Sequence, residues 1–253
     1  MEIVFAAAFI VIAGLAIGFG FAARRAQDSF ATANSLLTDF VEVVSENLIR
    51  TAELTTVESL AQKIQRTIQD FPANHNAQLQ MQRARMSIVM AELKSRQLDT
   101  SGMYTNSTEA HDLIESLGHA ENNDPEALHL LARSNALIAG FYDMKDPPEF
   151  NQARIFYEKA RDQLQHLEKR FDKSGPMGNN WRWLRSLASV RRDFGDFILR
   201  EARDKAALEE ADQSFRASEE TFRKLKRFSP TDISIDYDLA WAAIKSGDVL
   251  FQL

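Results

Sequence analysis

The sequence predicts an all-α fold: a stack of antiparallel helix pairs preceded by one apolar span. Three observations carry this expectation. Ten Gly and six Pro in 253 residues are few for a sheet protein dense in turns. Apolar residues recur at steps of three and four from Phe30 onward, and no stretch alternates with period two for long enough to make a strand. The last third of the chain also repeats itself.

The first element is residues 3–23, which carry no charged side chain. At about 1.5 Å per residue they cover roughly 30 Å, the thickness of a hydrocarbon core. This predicts a transmembrane anchor with its basic flank, residues 1–25, and a single-pass protein of the inner or plasma membrane. The alternative is a cleaved signal, with Gly20 and Ala22 as small residues at the cleavage site, which leaves a secreted or periplasmic helical protein. Against a signal, no Lys or Arg precedes the apolar run. Arg24 and Arg25 after the span place the C-terminal region in the cytoplasm by the positive-inside rule. Gly14-xxx-Gly18 fits the small-xxx-small pattern through which two membrane helices form a homodimer. Gly18-Phe19-Gly20-Phe21-Ala22-Ala23 matches a dinucleotide-loop pattern, but that loop needs a strand-to-helix break, and here an apolar run passes through it.

Residues 26–76 read as a helical hairpin. Phe30, Ala33, Leu37, Phe40 and Val44 make one stripe; Val57, Leu60, Ala61, Ile64 and Ile68 make a second, ended by Phe71-Pro72. Residues 77–253 then carry helical patterns at 77–98, 106–119, 125–142, 150–171, 181–201, 205–228 and 232–252. Turn residues separate them, such as Thr100-Ser101-Gly102, Asn123-Asp124-Pro125, Asp146-Pro147-Pro148 and Ser229-Pro230.

A shift of 52 residues carries Leu187-Ala188 onto Leu239-Ala240 and Gly195-Asp196 onto Gly247-Asp248. Ala153, Tyr157 and Ala160 share their spacing with Ala211, Phe215 and Ser218. Small residues at such positions let one helix cross another closely, as in the second helix of a tetratricopeptide (TPR) repeat. The last repeat is incomplete, half a unit or a cap.

Trp183, Leu187, Ser189, Gly195 and Asp196, with the span and the segments after it, resemble membrane-tethered TPR arms of certain bacterial signalling proteins. In that family such an arm often follows a TIR or caspase-like effector domain. The resemblance implies a protein-protein interaction scaffold, a sensor or adaptor arm in signalling. It also implies repeats outside the cytoplasm, opposite to what Arg24 and Arg25 indicate.

Chemistry is sparse. Acids outnumber bases 36 to 30, the wrong balance for a nucleic-acid binder. Zero cysteines exclude disulfides and thiolate metal sites. His75, His111, His119, His129 and His166 lie in no carboxylate cluster of metal-ligand spacing, and no hydrolase or phosphate-loop motif occurs. Neither a catalytic residue nor a metal or cofactor site is expected, although an enzyme with an unrecognised site stays the second function class. Arg223-Lys224-Leu225-Lys226-Arg227 reads as the basic last turn of a helix. The partner is expected to be a protein or peptide. If Gly195 and Gly247 are packing glycines, Arg192, Asp196, Trp241, Ile244 and Asp248 are the expected partner-binding residues on a concave face.

Overall fold

A computed structural model describes residues 54–69, 77–118, 124–171 and 180–253. They form eight helices and no strand: α1 (Leu54–Gln69), α2 (Ala77–Arg96), α3 (Thr100–Ser116), α4 (Pro125–Met144), α5 (Phe150–Phe171), α6 (Asn180–Glu201), α7 (Lys205–Phe228) and α8 (Ile233–Gln252). The predicted span, Gly14, Gly18, Arg24, Arg25 and the stripe from Phe30 to Val44 lie outside the described residues.

The expectation of a single-pass membrane protein is corrected here. Among the described residues no helix is long and apolar enough to cross a membrane. Even the two least polar helices are interrupted by charge: α4 carries Glu126, Arg133 and Asp143, and α8 carries Asp236, Asp238, Lys245 and Asp248.

Aspartates start four of the helices. The side chains of Asp99, Asp124, Asp204 and Asp232 accept from the backbone N–H groups of Gly102, Glu126, Ala207 and Ser234 at 2.8–2.9 Å. Each satisfies a donor that the first helical turn leaves without a partner. One of these caps moves a predicted boundary. Thr100-Ser101-Gly102 is the first turn of α3, whereas the sequence reading made it a loop.

Each helix packs on the next in antiparallel fashion, and every second helix runs parallel. The even-numbered helices α2, α4, α6 and α8 form one layer, and α1, α3, α5 and α7 form the other. The odd layer carries one stripe written four times, buried throughout except at the half-buried Ile64. Val57, Ala61, Ile64 and Ile68 in α1 match Met103, Ser107, Ala110 and Ile114 in α3. Ala153, Tyr157, Ala160 and Leu164 in α5, and Ala211, Phe215, Ser218 and Phe222 in α7, keep the same spacing. Steps of 4, 3 and 4 hold one face of a helix over three turns, so each stripe points into the even layer. Ion pairs tie α5 to α7 within the odd layer, Arg154 to Glu210 at 2.5 Å and Lys224 to Glu168 at 3.3 Å.

Candidate interaction groove

The even-numbered helices are joined by polar rungs. Between α2 and α4, Arg85 pairs with Glu126 at 2.9 Å and Arg133 pairs with Glu92. Between α4 and α6, His129 Nε2 meets Ser186 Oγ at 2.9 Å, and Arg200 pairs with Asp143. Between α6 and α8, Arg185 reaches Asp232 at 2.7 Å, Arg192 reaches Asp238 at 2.6 Å, and Lys245 reaches Asp196 at 3.4 Å. Both members of each rung advance together along the chain, as parallel helices require.

These rungs floor a groove of about 570 Å³ along α2, α4 and α6. Seven arginines and five carboxylates line it, although the whole chain has a net charge of −6. Arg85, Arg133, Arg182 and Arg185 lie in the N-terminal halves of the three helices, where Glu126 answers Arg85, Glu92 answers Arg133 and Asp232 answers Arg185. Asp143, Asp193 and Asp196 gather toward the other end, together with Arg96, Arg192 and Arg200. Burial pushes the Asp143 carboxyl up, against the opposing pull of Arg200, and Asp193 and Asp196 add to the rise. Gly140 lies between the two ends, and a Cβ built on it would meet nothing within 4 Å. The glycine therefore keeps the groove open without being needed for packing.

His129 and Ser186 are the pair in this groove that most nearly resembles a base with a nucleophile. The environment opposes that chemistry. Burial, and then the nearby charges of Arg133 and Arg85, hold the imidazole well below its ordinary range. A general base in such a pair is oriented by a group that favours the imidazolium, whereas arginines disfavour it. The contact acts as a neutral rung between α4 and α6. Among the described residues no group of three or more His, Asp or Glu is arranged to hold a metal ion.

The structure brings three of the five expected binding residues together. Arg192 and Asp196 line the groove, and the Trp241 indole N–H donates to Asp196 at 3.4 Å while Lys245 sits over the Trp241 ring. Arg192 pairs with Asp193 and Asp238 rather than with Asp196 one turn away. Ile244 and Asp248 lie on the exposed side of α8. A shift of 52 residues carries Arg192 and Asp196, which meet α8, onto positions that would meet a helix after α8. Sequence reasoning missed Arg85, Arg133, His129 and Gly140, because α2 and α4 show no sequence match to the later repeats.

Comparison with known proteins gives no match: no protein-family model, no curated protein and no solved structure proves similar to the chain.

Proposed function

We propose that this chain is a TPR-like protein-interaction scaffold whose groove holds an acidic segment of a partner protein. The observation that carries this reading is the groove itself, in which arginines of successive even-numbered helices outnumber carboxylates seven to five in a chain of net charge −6. Parallel helices that each present a few residues to a shared groove suit an extended ligand, which meets one repeat after another. Arginine forks suit carboxylates, and at a desolvated contact they rank among the side chains that carry most binding energy. The small–aromatic–small stripes of α5 and α7 and the packing glycine of α6 support the TPR-like assignment.

The test uses the full chain and fluorescent peptides of matched length, one set rich in Asp and Glu and one rich in Lys. Anisotropy is expected to rise with the acidic set alone and to weaken with added salt. Gly140→Leu fills open groove space in a helix where leucine is a better helix former than glycine. It is expected to weaken acidic-peptide binding at least about tenfold, which is about 1.4 kcal/mol, while the thermal midpoint is kept or raised. Equal binding of both peptide sets, or binding indifferent to Gly140→Leu, would overturn the reading.

A further inference from the structure

The outer face of α8 carries a second surface, independent of the groove. Ile233, Tyr237, Ala240, Ile244, Gly247 and Phe251 follow one another at steps of 4, 3, 4, 3 and 4, and all six are exposed. Phe251 is 93% exposed and Ile233 is 80% exposed. The opposite face, Ile235, Ala242 and Val249, is the one buried against the rest of the fold. Exposed aromatic and aliphatic side chains of this number, with Leu250 on the flank, offer on the order of several hundred Å² of apolar surface. A lone soluble domain rarely leaves such a stripe uncovered.

The packing inside the fold says what fits there. Gly195 of α6 receives the Phe215 ring of α7, whose nearest atom stands 2.9 Å from where a Cβ would be. Gly247 is the same position one repeat later, and a Cβ there would meet nothing within 4 Å. The α8 face thus continues the α6–α7 interface, and among the described residues no aromatic fills its glycine.

A second copy of the same helix supplies one. When two α8 helices lie antiparallel about a two-fold axis midway between Ala240 and Ile244, Tyr237 of each falls opposite Gly247 of the other. In the same register Ile244 falls opposite Ala240, and Ile233 opposite Phe251. Large side chains meet small ones in the inner layers, and no charged residue falls among the six layers. We infer that the chain forms a two-fold dimer through α8, in which Tyr237 of one copy fills the notch at Gly247 of the other. Such an interface is isologous and closes on itself, so assembly stops at two copies.

The chain has no cysteine of its own, so engineered pairs report without background. In a full-length Tyr237→Cys, Gly247→Cys variant the two thiols of one helix are about 15 Å apart, too far for an internal disulfide. Mild oxidation is expected to give a covalent dimer, at least about tenfold more than either single-cysteine variant gives. Light scattering of the unmodified full chain is expected to report twice the chain mass, and Ile244→Glu is expected to halve it with an unchanged helical circular dichroism melt. A full chain that stays monomeric would mean that a different helix covers this face, and would overturn the inference. So would a dimer that survives Ile244→Glu, or equal cross-linking by the single-cysteine variants. Gly140→Leu is expected to leave the mass unchanged, which separates this result from the fate of the groove reading.

Discussion

Phe215 lays its ring against Gly195 so closely that the glycine has no room for a side chain. Its Cε1 lies 2.9 Å from the position a Cβ would take, and the ring itself is fully buried between α6 and α7. Gly195→Ala is therefore expected to cost about 1–3 kcal/mol of overpacking. Gly140→Ala, with open space around it, is expected to gain up to about 1 kcal/mol of helix propensity. Thermal melts followed by circular dichroism would rank the two, and the reverse order would show that the α6–α7 contact is misplaced. Gly102 does not serve as a neutral reference. Its Cβ would fall 2.6 Å from the capping Asp99 carboxylate, so Gly102→Ala is expected to disturb a cap worth about 0.5–2 kcal/mol.

Arg192 and Asp238 form a rung with little solvent around it, with side-chain exposures of 22% and 11%. Arg192→Ala leaves the Asp238 carboxylate without this partner and is expected to cost on the order of 3 kcal/mol in denaturant unfolding. Arg192→Met combined with Asp238→Leu is expected to recover part of that loss, because the apolar pair needs no desolvated charge while Asp193 still loses its Arg192 partner. A double variant as unstable as the single one would show that the pair is not what holds α6 to α8.

His129 gives the fold an acid-sensitive point. Burial and the two flanking arginines keep the folded imidazole neutral well below the ordinary histidine range. The unfolded chain takes up a proton near pH 6.5 while the folded chain does not. The contribution is therefore intact above about pH 6.5 and is lost as pH falls below it. His129→Gln, which keeps a side chain able to bond Ser186, is expected to flatten the midpoint between pH 7 and pH 5. An equally steep fall in the variant would place the acid sensitivity in other groups.

Leu98 closes α2 with a φ of 59°, and its side chain is 79% exposed. The N–H of Asp99 reaches back to Lys94 O at 2.9 Å and that of Leu98 to Ser95 O at 3.1 Å, the paired bonds of a left-handed helix terminator. Leucine in that conformation costs about 1–2 kcal/mol, and glycine adopts it freely. Leu98→Gly is expected to raise stability by up to about 1 kcal/mol, and a fall in the melting midpoint would contradict this.

Most helix boundaries were legible because apolar periodicity and aspartate caps are local signals. The patterns at 150–171 and 205–228 coincide with α5 and α7. The start of α3 was not legible, because Asp99-Thr100-Ser101-Gly102 is a capped first turn with a loop's composition. Two of the four buried stripes in the odd layer escaped as copies of one pattern for a different reason. Val57, Met103, Ala153 and Ala211 begin the copies, and the gaps between them are unequal, so no single shift aligns the chain with itself. The groove was legible only at Arg192 and Asp196. Its other rungs join residues 41 or 57 positions apart, such as Arg85 with Glu126 and His129 with Ser186, and no local spacing encodes them.

The rungs also settle which helices can be neighbours. Glu126 and Arg133, the second and ninth residues of α4, answer Arg85 and Glu92 of α2. The second and ninth residues of α6 are Trp181 and Ala188. If α4 and α5 were excised and α2 laid directly on α6, Arg85 and Glu92 would each face a side chain with no charge to offer. The units of this stack are alike in their buried faces, but α4 and α6 are not exchangeable as neighbours of α2, because only α4 carries the charges that answer Arg85 and Glu92. Shortening the array by that one pair would leave Arg85 and Glu92 stranded at the new junction.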